Sequence, residues 1–255
     1  MLEVRRGNSC QSDIDLVCPV STIAEVIVAS HQPSYLPWSG FFQKALNSDV
    51  FVLLDSVQFP RGQSWVNRNR IKGPSGTIWL TVPVKKKGRG LQLVREVEVY
   101  HGRDWSRRHC LTLSHMYGNA PYFGEHFPFF KEVYSREWKS LVDLNLMILD
   151  YLRTVLGVGA EFTRCSTLGA EGRGTQLLVN VCERLGCHTY LASHGVRKYL
   201  NVQEFTARGM TVHFRNFAPP VYPQLWGEFV SNLSVLDLIF NCGGKSLDIL
   251  KKFSF

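Results

Sequence analysis

Short apolar runs alternate with amphipathic segments from Val26 onward, and this alternation predicts an α/β fold. VIVAS, beginning at Val26, is a continuous apolar run typical of a buried strand, and VFVLLDSVQF, beginning at Val50, is a second one. Residues 41–46, which lie between the two runs, are expected to form a short helix. A strand, a helix and a strand in this order form the unit from which parallel sheets are built.

A basic turn separates the next two apolar stretches. Residues 76–86 and 91–100 have strand-like patterns, and KKKGRG between them predicts that they pair as an antiparallel hairpin. Beyond residue 104 the apolar positions recur at intervals of three and four, as in Leu141, Leu144 and Ile148. That spacing places them on one face of a helix, so a helical segment is predicted over about residues 104–157.

The last hundred residues return to alternating elements. Strand-like EFTRCS, TYLAS and MTVHFRNF are separated by helix-like TQLLVNVCERLG and by a short predicted helix near Phe205. The whole pattern predicts an α/β protein with a mainly parallel, Rossmann-like sheet, flanking helices, an inserted β-hairpin and an inserted helical segment. Residues 1–24 are polar and without period, which predicts a flexible N-terminal extension.

Composition narrows the class of protein. The 255 residues are 45% hydrophobic and 20% charged, as expected for a globular chain. No apolar run approaches the ~18 uncharged residues of a membrane-spanning helix, and the N-terminus lacks the apolar core of a signal peptide. We therefore expect a cytoplasmic protein without membrane insertion.

Cysteine and histidine spacing gives no sign of a metal site. The seven cysteines and eight histidines include no C-x-x-C pair and no H-E-x-x-H or H-x-H group. Reduced thiols, no metal and no cofactor are therefore expected.

The net charge of +8 favours anionic partners, which include nucleotides, sugar nucleotides and other phosphorylated metabolites. Nucleic acid is a less favoured partner, because no helix-turn-helix, zinc-finger or RNP pattern is present. Nothing in the sequence indicates an oligomeric state.

The segment SHQPSYLPWSGFF follows the first predicted strand and is the main candidate for chemistry. His31 stands at the carboxyl end of that strand, where open parallel sheets bind ligands, and it is predicted to act as acid/base catalyst or phosphate ligand. Gln32, Tyr35 and Trp38 are assigned to substrate binding, the two aromatic rings as stacking surfaces. The alternative is a rigid turn in which the aromatic rings fill the core and His31 bonds a backbone group.

Asp55 ends the second predicted strand and is expected at the same sheet edge as His31. The two side chains are predicted to form a hydrogen-bonded catalytic pair. In the alternative interpretation, Asp55 only begins the turn that follows the strand.

Cationic and amide side chains are concentrated in RGQSWVNRNRIKG, and six of them are assigned to substrate binding: Arg61, Asn67, Arg68, Asn69, Arg70 and Lys72. On a strand, Arg68 and Arg70 would share one face and the two asparagines the other. Guanidinium groups bind phosphate or carboxylate through paired hydrogen bonds. The alternative is a solvated charged face.

Ser193 ends the strand-like TYLAS and is also assigned to substrate binding. It precedes a predicted helix start, where its hydroxyl either caps the helix or helps to bind an anion.

These motifs resemble the WbqC-like family. The resemblance is carried by HQPSYLPWSG, NRNRIKG and WLTVPV, and it continues in DWSRRHCLTLSHMYGNAPYF, TYLASHGVRKYLN and YPQLWGEFVSNLSVLDLIFNCGG, over about residues 26–243. Two places depart from the family pattern: YLASHG at residues 190–195, which includes His194, stands where a glycine-containing Y-L-S-G-x-G turn is expected, and Asn201 stands where an aspartate is expected. The resemblance implies a single WbqC-like α/β domain over residues 25–255.

The family is associated with gene sets for O-antigen and other surface polysaccharides. The resemblance therefore implies an enzyme of surface-polysaccharide biosynthesis, a transferase that binds an anionic nucleotide-linked sugar or activated donor and passes a group to an amino sugar. The alternative is a non-catalytic binding or scaffolding protein of a glycan biosynthesis complex.

Overall fold

A computed structural model describes residues 25–102 and 104–253 of the chain. The seven strands described are β1 (Ile27–His31), β2 (Val50–Leu53), β3 (Arg68–Gly73), β4 (Gly76–Thr81), β5 (Glu161–Arg164), β6 (Thr189–Ser193) and β7 (Thr211–Arg215). The extension predicted for residues 1–24 lies outside the described residues.

The helices begin with α1 (Ser39–Leu46), α2 (Trp105–Tyr117), α3 (Phe123–Ser135), α4 (Leu141–Val155) and α5 (Cys165–Leu168). They continue with α6 (Gly174–Arg184), α7 (Val202–Thr206), α8 (Val235–Cys242) and α9 (Ser246–Lys252). Short 3-10 turns occur at Val94–Glu96, His194–Val196 and Gly243–Lys245.

Five of the strands form one parallel sheet in the order β5-β2-β1-β6-β7. β1 lies at the centre. β2 and then β5 follow on one side of it, and β6 and then β7 follow on the other. This is the strand order of a Rossmann fold, so the predicted fold class is confirmed. Ligands of such sheets bind where the order reverses, which here is the crevice at the carboxyl ends of β1 and β6.

Apolar clusters cover both faces of the sheet. Val28 and Tyr190 belong to a cluster with α6 and α7, whereas Ala29 and Leu191 belong to a larger cluster with α1, α4 and α8. Adjacent residues of a strand point to opposite faces, so the two clusters lie on opposite sides. Burial on both faces explains why these strands appear in the sequence as continuous apolar runs.

The segment between β2 and β5 contains the inserted hairpin and the helical segment. β3 and β4 pair antiparallel from Arg68 opposite Thr81 to Gly73 opposite Gly76. Helices α2, α3 and α4 follow within the range where a helical segment was predicted.

The predicted pairing of residues 76–86 with residues 91–100 is wrong in its extent. The first stretch supplies β4, but the partner of β4 is β3. The two predicted stretches meet antiparallel only at the isolated bridge between Val84 and Val99. Pro83 has no N–H to donate to a ladder, and the turn Val94–Glu96 interrupts the second stretch.

Candidate functional site

A cavity of about 840 Å³ opens at the carboxyl ends of β1 and β6. Its lining includes the residues that end these two strands, His31 and Ser193, and the start of α6 at Gly174 and Thr175. The cavity therefore occupies the switch point at which a sheet of this order binds its ligands.

The charged groups that line the cavity are all cationic. Lys44 and Arg70 both belong to the lining, whereas no aspartate or glutamate of residues 25–102 and 104–253 does. The rest of the wall is largely apolar and includes Leu177, Leu178 and Leu200. Cations in an apolar, weakly polarisable wall act more strongly on an anion than they would in water.

His31 lines this cavity with one ring nitrogen already engaged. Its Nδ1 lies 2.9 Å from the carbonyl oxygen of Gln32, and because a carbonyl only accepts, Nδ1 carries the proton. The ring packs edge-on against Phe41 with centroids 5.1 Å apart. Nε2 has no hydrogen-bond partner among the described residues, so it is the nitrogen that can serve a ligand.

Burial lowers the pKa of His31 to about 4, and the nearby Lys44 ammonium acts in the same direction. The imidazole is therefore neutral near pH 7. In this state Nε2 can accept a proton or a hydrogen bond from a bound substrate, as a general base must.

Lys44, on α1, is a cavity residue that the sequence analysis missed. Only 5% of the side chain is exposed, and Nζ donates to the carbonyl oxygen of Ser30. Desolvation lowers the pKa of Lys44 to about 8. Its position three residues after the buried Phe41 was the available signal, since residues three apart share a helix face.

The hairpin contributes Asn69 and Arg70 to the cavity. The Asn69 amide is buried, where Nδ2 donates to the Leu36 carbonyl at 2.7 Å and Oδ1 accepts from the Arg70 backbone N–H at 2.8 Å. The Arg70 guanidinium donates to the carbonyls of Asn232 (3.2 Å) and Ser231 (3.4 Å). These contacts hold the β1–α1 loop (residues 32–38), the hairpin and the segment before α8 together at the cavity.

The predicted hydrogen bond between His31 and Asp55 is wrong, because the Asp55 carboxylate is used elsewhere. It accepts from Arg164 Nε at 2.8 Å and from the Ser166 backbone N–H and hydroxyl at 2.9 and 2.6 Å. Leu53 of β2 pairs with Arg164 of β5, so these contacts tie the carboxyl ends of the two strands. Asp55 does not line the cavity.

Tyr35 is also not available to stack on a ligand, because it is 0% exposed. Its hydroxyl lies 2.8 Å from His109 Nδ1 and 2.6 Å from the Tyr134 hydroxyl. Tyr35 thus anchors the β1–α1 loop to α2 and α3. The part of the alternative interpretation in which aromatic rings fill the core is correct for this residue.

Three further predicted binding residues have structural contacts outside the cavity. Asn67 Nδ2 donates to the Val82 carbonyl at 2.9 Å, and the buried Lys72 ammonium donates to the Glu228 carbonyl. Arg68 stacks on the Trp79 ring at 4.2 Å. The cavity lining therefore includes His31, Gln32, Trp38, Asn69, Arg70 and Ser193, but not Tyr35, Asp55, Arg61, Asn67, Arg68 or Lys72.

Two exposed aromatic side chains stand at the cavity. Trp65 is 49% exposed and Tyr199 is 84% exposed, and both belong to the lining. Trp65 also packs against Trp79, with ring centroids 5.5 Å apart. Flat rings in this position offer surfaces on which a base or sugar can stack.

Neither a metal cluster nor a membrane span was found within the part of the chain that the structure describes. There, no three histidine, cysteine, aspartate or glutamate side chains come together as a group able to hold a metal ion. None of the helices in the same residues combines the length and apolar character needed to cross a bilayer.

The buried His109 predicts a loss of stability in acid. Burial lowers its pKa to about 3, whereas in the unfolded chain a histidine titrates near its ordinary pKa of 6.5. Between these values the unfolded state binds a proton that the folded state excludes, so the stability present above pH 6.5 is lost as pH falls toward 3. His31 acts in the same direction. Each such group lowers the free energy of unfolding by roughly 1.4 kcal/mol per pH unit in this window.

Urea denaturation at pH 6.5, 5.5 and 4.5 measures this slope. His109→Gln is expected to make the slope shallower, whereas the control His115→Gln, at an exposed position of α2, should keep it. An unchanged slope in His109→Gln would show that His109 is not the responsible group.

The fold and the cavity define the class as an α/β protein of Rossmann strand order with a cation-lined cavity at its switch point. Comparison with family models identifies the family: the chain belongs to the WbqC-like protein family, whose model matches residues 32–249.

A curated relative is the Uncharacterized protein Rv1507c of Mycobacterium tuberculosis (strain ATCC 25618 / H37Rv), which is 31% identical over 226 residues. That match covers 88% of this chain and 97% of the relative. No solved structure matches the chain.

Proposed function

We propose that this protein is a transferase of surface-polysaccharide biosynthesis of the O-antigen type. It binds an anionic nucleotide-linked sugar or another activated donor in the cavity and passes a group to an amino sugar. The biosynthetic setting comes from the family resemblance. The observation that carries the binding proposal is the cavity at the switch point, lined by Lys44 and Arg70 and by no acidic side chain of the residues that the structure describes.

His31 is the proposed general base. It is neutral near pH 7, its Nδ1–H is fixed by the Gln32 carbonyl, and Nε2 remains for the substrate. An acceptor amine or hydroxyl attacks the transferred group, the bond between that group and its nucleotide or other carrier breaks, and the carrier leaves with the electron pair. Nε2 takes the proton that the acceptor loses. A phosphate bound nearby raises the pKa of His31 from its low value, which brings the base closer to its working range.

A non-catalytic scaffolding role is the alternative, and the exposed Trp65 and Trp79 favour it. Paired exposed aromatic rings are common in surfaces that bind other proteins. The two functions differ in what the cavity does, because a scaffold needs no ligand there.

A thermal-shift screen of nucleotide sugars and acyl donors tests the proposal. A ligand at 100 times its Kd stabilises the native state by about 2.7 kcal/mol, which raises Tm by several degrees for a chain of this size. We expect at least one donor to produce such a shift. Arg70→Met should reduce the shift, because the guanidinium lines the cavity.

Arg61→Met is the matched control, since Arg61 belongs to the same basic segment but is exposed outside the cavity. Its shift should equal that of the wild type. Absence of a shift with every donor, or equal shifts in the two arginine variants, would contradict donor binding in this cavity.

A further inference from the structure

Lys44 is a buried ammonium without a counter-ion in the described structure. Its Nζ donates to the Ser30 carbonyl and lies 6.0 Å from the centre of the Phe51 ring. No carboxylate among residues 25–102 and 104–253 forms an ion pair with it. An ammonium has three N–H donors, so the Ser30 carbonyl leaves donor capacity for a ligand.

Lys72 provides a comparison within the same chain. It is also buried, but Asp237 lies close enough for a favourable electrostatic interaction, and the Lys72 ammonium reaches the Glu228 carbonyl. Burying a charge is costly unless it is paired, and Asp237 supplies that compensation for Lys72. Lys44 has no equivalent acid in the described part of the chain, but unlike Lys72 it lines the cavity.

We propose that Lys44 is the principal phosphate-binding cation of the cavity, and that the ligand's phosphate group supplies the counter-charge that no described carboxylate provides. This inference rests on the proposed function, in which the cavity holds an anionic donor. Lysine binds phosphate as a compact point charge. A nucleotide-linked sugar would place its diphosphate at Lys44. The base and sugar rings of the ligand would then contact the rest of the cavity wall.

The start of α6 is compatible with a phosphate in the same cavity. Gly174 and Thr175 line it, and the first turn of this helix contains no acidic side chain. Gly174 has a φ of 54°, a left-handed conformation that favours glycine. Because glycine has no side chain, a ligand can approach the backbone closely at this position. Free N–H groups in the first turn of a helix add to the attraction of a nearby cation for phosphate.

Binding at Lys44 should be linked to proton uptake. The pKa of Lys44 is about 8 without ligand, and a bound dianion raises it. At pH 8 the wild type is therefore expected to take up roughly half a proton for each anion bound. The other titratable or cationic groups of the lining are His31 on β1, Arg70 on β3, Tyr190 on β6 and Tyr199.

Sulfate is the probe for this linkage, since it imitates phosphate and does not titrate near pH 8. Calorimetric titration with sulfate in HEPES and in Tris gives the number of protons exchanged without any substitution. Uptake near half a proton supports the proposal, and zero uptake on binding overturns it.

Affinity for inorganic pyrophosphate tests the residue directly. Lys44→Met keeps the length of the side chain and removes its charge, and we expect its Kd for pyrophosphate to rise about tenfold to hundredfold over the wild type. Lys131→Met, at an exposed position of α3, is the control and should bind as the wild type does. Circular dichroism confirms that each variant is folded.

The outcomes separate this inference from the proposed function. Equal pyrophosphate affinity in wild type and Lys44→Met would overturn the role of Lys44 but leave an anion-binding cavity. Malonate binding as tightly as pyrophosphate would overturn the choice of phosphate over carboxylate. If the wild type binds neither anion, the inference and the anion-binding part of the proposed function both fail.

Discussion

Asp55→Ala is expected to lower the free energy of unfolding by about 3 kcal/mol. The carboxylate is 0% exposed and accepts three hydrogen bonds, from Arg164 Nε and from the Ser166 N–H and hydroxyl. Its removal leaves these donors without their acceptor at the junction of β2 and β5. The effect stays below the upper range for a buried ion pair, because Arg164 is partly exposed and water can reach it.

Urea denaturation followed by circular dichroism measures the loss. Asp150→Ala is the matched control, since Asp150 forms an exposed ion pair with Arg153 at 2.9 Å, and its removal should cost less than about 1 kcal/mol. If Asp55 acted in catalysis rather than in the fold, Asp55→Ala would abolish turnover and leave stability near that of the control.

His31→Ala is expected to reduce turnover by about 10²- to 10⁴-fold, the contribution typical of a general base. The measurement is turnover with a donor identified by the thermal-shift screen. His31 lines the cavity and its ring nitrogen Nε2 has no partner in the described structure, so its removal should affect chemistry more than folding. The wild-type pH profile of kcat/KM should show a limb governed by a group of low pKa, near the value of about 4 for His31.

His115→Ala removes an exposed histidine on α2 and should leave turnover unchanged. Retention of full turnover in His31→Ala would refute the general-base assignment. A variant that loses turnover and stability in parallel would indicate that His31 supports the fold instead.

Periodic patterns predicted the parallel sheet well because its central strands β1 and β6 are buried on both faces. VIVAS overlaps β1, and TYLAS forms β6. Adjacent residues of each strand pack into apolar clusters on opposite sides of the sheet. The partner of β4 was predicted wrongly, since strand-like patterns do not specify which strand pairs with which. Pro83 was the one local signal that the ladder ends there.

Position along the chain predicted part of the cavity lining. His31 was placed by the rule that ligands bind at the carboxyl ends of parallel strands, whereas Asn69 and Arg70 were identified only by the cationic and amide composition of their segment. Alternation of strand faces would put Asn69 and Arg70 on opposite faces, yet both line the cavity. Their same-face neighbours Asn67 and Arg68 do not. These predictions used local sequence only. The cavity lining includes all three residues: His31, Asn69 and Arg70.

Asp55 and Tyr35 were assigned to the site wrongly, because their actual partners are residues distant in sequence. The Asp55 carboxylate meets Arg164, 109 positions away, and the Tyr35 hydroxyl meets Tyr134, 99 positions away. Local patterns carry no information about such pairs. Lys44 was missed although its spacing from Phe41 placed both residues on one helix face, because the packing of α1 against the sheet is needed to show that this lysine is buried beside a cavity.

Donor binding in the cavity is the central claim, and a crystal structure with the most stabilising donor tests it most directly. We predict electron density in the crevice at the carboxyl ends of β1 and β6, with the anionic group within hydrogen-bond distance of Lys44 or Arg70. A donor bound at another surface, with the cavity filled only by solvent, would contradict the claim.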